Sequence, residues 1–231
     1  MSTLKEEFYR EFRDKGVVGL STHKPIREDQ ETLIEKVTEV LANTPPLMRL
    51  LDKTRDKLQF YHGHGLRTGV IFMDLLTQES EVLDSFTYDT LCAAGCYHDV
   101  GKLKVPGEIL FNPGELSLEE KSIIDLHETY GEEMLSGVNG KIYFAHKLVG
   151  THHRYPRLFA NGDFVFSSDP LTRATMLLSL ADHFEALSSM RDYRGPFPVD
   201  EVQTELNRVL PHLVPETDYL IARYENGNEK H

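Results

Sequence analysis

The sequence predicts an all-α fold, on three observations. Apolar residues recur at helical spacing along most of the chain, no stretch sustains strand alternation, and helix-start signals stand before several of the apolar runs. At 231 residues, 40% apolar and 27% charged, the chain has the size and composition of one folded domain with a short extension. It shows no internal repeat.

Residues 1–29 open with a weakly amphipathic segment (Leu4, Phe8, Phe12) and continue through Gly16, Gly19 and Pro25, which reads as a loop. Leu33, Ile34, Val37, Val40 and Leu41 mark a helix that Asn43-Thr44-Pro45-Pro46 ends. Residues 1–45 are thus read as an N-terminal extension whose role the sequence does not state. From Leu47 to Leu76 the pattern is helical, with glycines around His62–Gly65 predicting a bend and placing His64 at a helix start.

Tyr88–His98 is almost wholly apolar, as a buried central helix requires, and ends in the polar run His98-Asp99-Val100-Gly101-Lys102. Pro106–Leu116 reads as a loop. Ser117-Leu118-Glu119-Glu120 has capping-box spacing, and the helix it opens is expected to carry His127. Phe144–His153 predicts a shorter helix. Asp169-Pro170 supplies an N-cap and the proline favoured at the first helical position for Leu171–Ser189, which carries Asp182. Helical patterns over Val199–Leu210 and Glu216–Tyr224 follow, and Asn226–His231 reads as a frayed end.

A net charge of −12 argues against nucleic-acid polymers, whose binding depends on neutralising phosphates with Lys and Arg. A small phosphorylated ligand would need local positive charge, from a metal or from clustered Arg and Lys. No leader-like start and no long apolar run occurs, so membrane insertion is not expected and the cytoplasm is the default. Cys92 and Cys96, four apart on one helical face, are expected to be buried thiols.

His64, His98-Asp99, His127, His152-His153 and Asp182 fall at ends or inner faces of successive helical units. Imidazole and carboxylate together suit Mn, Fe, Zn, Co or Ni, and a carboxylate such as Asp99 can bridge two ions. Any one of the 11 histidines, taken alone, is more often filler than ligand. The ordered set carries the inference.

His98-Asp99-Val100-Gly101-Lys102 is similar to the HD-x-G-K signature of HD-domain phosphohydrolases, and its surroundings resemble the HD-GYP subfamily of cyclic-dinucleotide phosphodiesterases. His64-Gly65-Leu66-Arg67 resembles that subfamily's H-x-x-R; Val105–Leu110 and Gly114–Ser117 resemble I-P-x-x-I-L and G-x-L-[ST]. His127–Gly131 resembles H-x-x-x-G, His152-His153 the paired histidines, and Ala181–Leu187 A-D-x-[FY]-D-A-[LM]. The resemblance spans roughly Leu58 to Arg194 and implies an HD-domain helical bundle over 46–231.

It also implies two divalent transition-metal ions, Fe or Mn foremost with Zn, Ni or Co as alternatives. His64, His98, Asp99 and Asp182 would hold one, and Asp99, His127, His152 and His153 the other. Asp99 and Lys102 would be catalytic, with Lys102, Arg191 and Arg194 on the substrate, a small nucleotide such as cyclic di-GMP. A homodimer is left open.

The chain departs from the subfamily in three places. After the paired histidines it reads Arg154-Tyr155-Pro156-Arg157 instead of E-x-x-D-G-x-G-Y-P, so a shortened loop is expected there. Phe60 stands where three-metal members carry Glu, which implies two metals. Glu185 replaces an Asp and is read as structural. His62, His146 and His183 lie off the motif positions, and Arg67 either braces the bundle or faces substrate. Two other functions stay open: a di-iron oxygenase using a similar ligand set, and a non-catalytic nucleotide-binding signalling module.

Overall fold

A computed structural model describes residues 3–15, 28–58, 60–138, 142, 144–162, 169–189 and 195–225. Among them every regular element is a helix. The expected loop through Gly16 and Pro25, the expected frayed end from Asn226, and the Arg191 and Arg194 positions lie outside the described residues.

The described residues hold fourteen α-helices, in order α1 (Leu4–Lys15), α2 (Glu28–Ala42), α3 (Pro45–Leu58), α4 (Phe60–Leu76), α5 (Ser80–Ser85), α6 (Tyr88–Tyr97), α7 (Gly107–Leu110), α8 (Leu118–Asp125), α9 (His127–Ser136), α10 (Ala145–Val149), α11 (Arg154–Asn161), α12 (Pro170–Ser188), α13 (Val199–Val209) and α14 (Val214–Glu225). Short 3-10 turns cover Val100–Lys104 and Pro211–Leu213.

The helices α4, α6 and α12 form the centre. Each is apolar around most of its circumference: Leu66, Val70, Phe72 and Leu76 of α4, Leu91 and Ala94 of α6, and Leu177, Leu180 and Phe184 of α12 are all at most 1% exposed. Truncating Phe72 or Phe184 to Ala would cost about 3–5 kcal/mol through lost burial and the cavity left behind. Cys92 and Cys96 are free buried thiols in this core, as the spacing predicts.

The predicted bend at His62–Gly65 is not there. The preceding helix, α3, ends at Leu58, and α4, from Phe60, continues through the glycines without interruption. They serve helix packing instead: a Cβ on Gly65 would stand 2.6 Å from the carbonyl oxygen of Cys96, and one on Gly69 would collide with the Cys96 side chain. Bare backbone at both lets α4 lie directly on α6, and His64 sits in the second turn of α4, facing that junction.

The capping expectations at Ser117 and Asp169 hold. Ser117 and Glu120 exchange side-chain and backbone hydrogen bonds, and Asp169 accepts from the Thr172 N–H at 3.0 Å ahead of Pro170. The Ser117 helix, however, ends at Asp125, and His127 begins a separate helix, α9. The expected Phe144–His153 helix shrinks to α10 followed by a turn.

The first helices are integral to the core. Phe8 of α1 and Ile34, Val37 and Leu41 of α2 are fully buried in the same apolar cluster as α4 and α12. Within the described residues, no helix is long and apolar enough to cross a membrane.

Candidate metal centre

The three central helices and the turns beside them deliver the seven predicted ligands to one place. The α4 helix carries His64, the end of α6 gives His98 and Asp99, α9 begins with His127, the turn after α10 holds His152 and His153, and α12 carries Asp182. All are buried except His153, which is half-buried at 27% side-chain exposure.

Asp99 follows α6 directly, at φ −95°, ψ 5°, the sparsely populated bridge region between helix and strand. Two residues on, Gly101 packs against the start of α9. A Cβ there would collide with the carbonyl oxygen of His127 and stand 2.6 Å from the Gly131 nitrogen. The glycine of the D-x-G-K run therefore lets α9 close onto the Val100–Lys104 turn, which brings the His127 imidazole to Asp99.

One half of the cluster gathers His64, His98, Asp99 and Asp182. His64 Nε2 lies 2.9 Å from Asp182 Oδ1 and 3.1 Å from His98 Nε2. His98 Nε2 is in turn 3.5 Å from Asp182 Oδ1 and 3.6 Å from Asp99 Oδ2. The other half gathers Asp99, His127, His152 and His153, with His127 Nε2 3.3 Å from both Asp99 Oδ1 and His152 Nε2. One potential ligand atom from each of these four lies within 4.8 Å of the rest. Asp99 offers one oxygen to each half.

Donor and acceptor chemistry says what this arrangement needs. His98, His127 and His152 direct Nδ1 at the backbone carbonyls of Gly95, Ile124 and Val149, at 2.9, 2.8 and 2.6 Å. A carbonyl only accepts, so each Nδ1 carries the hydrogen, and the neutral rings of His127 and His152 turn an Nε2 lone pair inward. Lone pairs then face one another between His127 and His152. Asp99 Oδ1, opposite the His127 lone pair, is buried and has no hydrogen-bond partner among the described residues. Such an interior is stable only with positive charge inside it, so the residues fit divalent cations.

Electrostatics agree. Burial would raise both carboxylates, but the Lys102 ammonium and the imidazoles around Asp99, and His64 and His98 around Asp182, hold them well below the usual carboxylate range. Burial keeps His127, His152 and His153 neutral, His153 down to about 3. Burial also opposes charge on His98, yet Asp99 and Asp182 outweigh it and raise this ring to about 9. Without a cation, His98 is where the carboxylates keep a proton, which an entering metal would displace.

Lys102 stands at the rim, its Nζ 2.5 Å from Asp99 Oδ2 and 4.1 Å from the centre of the Tyr61 ring. Its charge faces the cluster directly, which a lysine serving only a helix end would not do.

The model of the HD domain family matches residues 61–187 of this chain. The chain belongs to that family. Among similar proteins, "Cyclic di-GMP phosphodiesterase" of Thermotoga maritima is 27% identical over 188 residues, covering 78% of this chain and 48% of the relative. Two relatives from Vibrio cholerae are "3'3'-cGAMP-specific phosphodiesterase 1", 33% identical over 72% of this chain and 37% of its own length, and "3'3'-cGAMP-specific phosphodiesterase 3", 32% identical over 63% and 31%. This chain spans less than half the length of these curated relatives.

Glu185, read from the sequence as structural, bonds the predicted ligand His64. Its carboxylate is fully buried, meets His64 Nδ1, and is held by Arg67 through Nε at 2.6 Å and NH2 at 2.5 Å. A carboxylate behind a ligand imidazole fixes its tautomer and orientation and raises its basicity. Its distance of three residues from Asp182, almost one helical turn, was the available sequence signal. The Arg67 ambiguity resolves the same way: at 1% exposure it braces, with Glu11 as its other partner at 2.7 Å.

Of the histidines off the motif, His62 turns away to Thr54 and Glu7, and His183 stands at the rim with its ring centre 6.1 Å from that of His153. Glu128, unremarked in the sequence, is buried, accepts from the His153 N–H at 2.9 Å and pairs with Arg157. It fixes the turn that carries the histidine pair.

The shortened loop expected after His153 is a helix, α11. Without the glycines, Arg154–Asn161 holds only helix-compatible residues, with Pro156 in the first turn where its missing N–H costs nothing. Gly162, at φ 74°, stops it in the left-handed conformation that glycine adopts without strain.

Proposed function

We propose that this protein is a metal-dependent phosphodiesterase that hydrolyses a cyclic dinucleotide, cyclic di-GMP foremost and 3'3'-cGAMP as the nearest alternative. The observation that carries this reading is the ring of inward-facing lone pairs and ionised carboxylates, with Lys102 as the cation at its rim. Similarity to relatives named as cyclic-dinucleotide phosphodiesterases supports the substrate class.

His64, His98, Asp99 and Asp182 would hold one transition metal and Asp99, His127, His152 and His153 a second, iron or manganese foremost. When bound, the metals supply Lewis acidity for activating water and neutralising charge on a phosphoryl group.

The chain's own groups do the rest. The carbonyls of Gly95, Ile124 and Val149 and the Glu185 carboxylate fix which imidazole nitrogen faces inward, so the ligands need no reorganisation. Lys102 holds Asp99 in the free enzyme and can turn its ammonium to a non-bridging phosphate oxygen when substrate arrives. Arg191 and Arg194 would grip phosphate and stack on a base from the segment after α12. The acidic surface suits a small ligand drawn to this one cationic rim, not a polymer.

Protein loaded with Mn(II) or Fe(II) is expected to convert cyclic di-GMP to a linear dinucleotide or mononucleotides, read by chromatography, with 3'3'-cGAMP run in parallel. Absence of turnover with both, across several metals, removes the substrate assignment.

A further inference from the structure

The α1 helix lies outside the residues matched to the family, yet its polar side chains lead into the metal centre. Glu11 Oε2 accepts from Arg67 NH1 at 2.7 Å, Arg67 donates from its remaining nitrogens to Glu185, and Glu185 bonds His64 Nδ1. Side-chain exposure along this path is 16% at Glu11, 1% at Arg67, none at Glu185 and 5% at His64. Water therefore screens these contacts little. We propose that α1 is a positioning element for the His64 side of the metal centre, with Glu11 setting, through Arg67 and Glu185, how strongly His64 binds metal.

The physical reason is how one guanidinium divides its charge between two carboxylates. With Glu11 in place, Arg67 is shared, and Glu185 keeps enough negative charge to polarise the His64 N–H and make the opposite nitrogen a stronger donor. Without Glu11, the whole guanidinium charge falls on Glu185, its hold on the imidazole weakens, and the metal loses affinity. Space for Glu11 is built into α4: a Cβ on Gly63 would collide with the Glu11 carboxylate and stand 3.2 Å from Arg67 NH1. A second α1 carboxylate, Glu7, anchors the same helix by accepting from Arg55 Nε at 2.9 Å and hydrogen-bonding His62 at 2.8 Å.

The inference rests on the cluster being a metal site, and not on the identity of the substrate. Its test is a calorimetric titration of the full chain with Mn(II), with folding checked by circular dichroism. Glu11→Gln should weaken binding by roughly 3- to 10-fold, less than the roughly 10- to 100-fold expected when a direct partner of a ligand is lost. Glu11→Asp should recover part of that affinity.

Gly63→Ala provides an independent route where Glu11→Gln lowers stability. It replaces a helix-disfavouring glycine yet displaces the Glu11 carboxylate, so it should weaken metal binding without unfolding the protein. Lys5→Gln, on the exposed side of α1, should bind as the parent does. In metal-free protein, the 15N shifts of the His64 imidazole should move in Glu11→Gln and Gly63→Ala and stay in Lys5→Gln.

Parent-like Mn(II) affinity in both Glu11→Gln and Gly63→Ala overturns the inference. A parent protein that binds no Mn(II), Fe(II) or Zn(II) overturns it together with the metal-centre reading. Binding without turnover of any cyclic dinucleotide removes only the substrate assignment, and the affinity comparison still decides the role of α1.

Discussion

Two buried polar clusters sit on the same helix and answer opposite needs. At the far end of α4, the buried Asp74 carboxylate pairs with Arg223 Nε and accepts from Tyr224 and Tyr219 hydroxyls at 3.0 and 3.2 Å, while Arg223 also reaches Asp29 at 2.7 Å. Donors meet acceptors throughout, so this cluster is closed and fastens α14 to α4. In the second cluster, which includes His64, acceptors face acceptors at His127, His152 and Asp99, and Asp99 Oδ1 has no hydrogen-bond partner among the described residues. Burial and charge alone do not separate a structural network from a site. The matching of donors to acceptors does.

The sharpest way to break this contrast is Asp99→Ala. The proposed phosphodiesterase activity should fall on the order of 10^3-fold or more, about 4 kcal/mol of barrier, because both halves of the proposed centre would lose a ligand. Its metal-free melting temperature should change less than that of Asp74→Ala, since imidazoles can shed a proton and the Arg223 guanidinium cannot. Equal losses of stability in the two variants would dissolve the distinction.

Asp74→Ala should cost about 3–5 kcal/mol in urea unfolding by removing the buried carboxylate that Arg223 Nε and two tyrosine hydroxyls share. Mn(II) affinity should stay near the parent value.

A smaller effect distinguishes Glu7. Burial raises its carboxyl, but hydrogen bonds from His62 and Arg55 outweigh this and bring it from 4.5 down to about 2. A group depressed in the folded state stabilises above its unfolded value and loses that contribution as pH falls, here between about 4.5 and 2. The parent should therefore lose up to about 3 kcal/mol more than Glu7→Gln across that window in acid denaturation. Parallel acid profiles for the two would mean that Glu7 is not held as a buried ion.

The smallest effect comes from the metal itself. Mn(II) at about 100 times its dissociation constant should stabilise the parent by about 2.7 kcal/mol, reversed by chelator, by binding only the folded state. Asp74→Ala should keep the increment and Asp99→Ala should lose it, as read by thermal melts with and without Mn(II).

Much of the centre was legible because its residues announce themselves locally. His98-Asp99 ends an apolar helix, Gly101 follows at the one place where α9 must approach, and Asp182 lies on a helix whose start is marked by Asp169-Pro170. The partner of Glu185 was not legible, because its position within a motif says nothing about which imidazole it meets 121 residues away. The bend assigned to the glycines of α4 failed for a related reason: Gly65 and Gly69 look like helix breakers in isolation, and only the presence of α6 shows them to be contact points. Replacing the family's glycine-containing loop removed the signal for a loop without supplying one for a helix, so α11 went unread.

The sequence by itself determined the all-helical class and the core helices, because periodicity and capping act over a few turns of chain, and it pointed to the seven inward residues through their resemblance to the family's motifs. Tertiary structure alone decided that α1 joins the core, that Arg67 braces instead of facing substrate, and that Glu11, Arg67, Glu185 and His64 form one path. Those facts depend on which charged groups are excluded from water together, and that is settled only when distant helices pack.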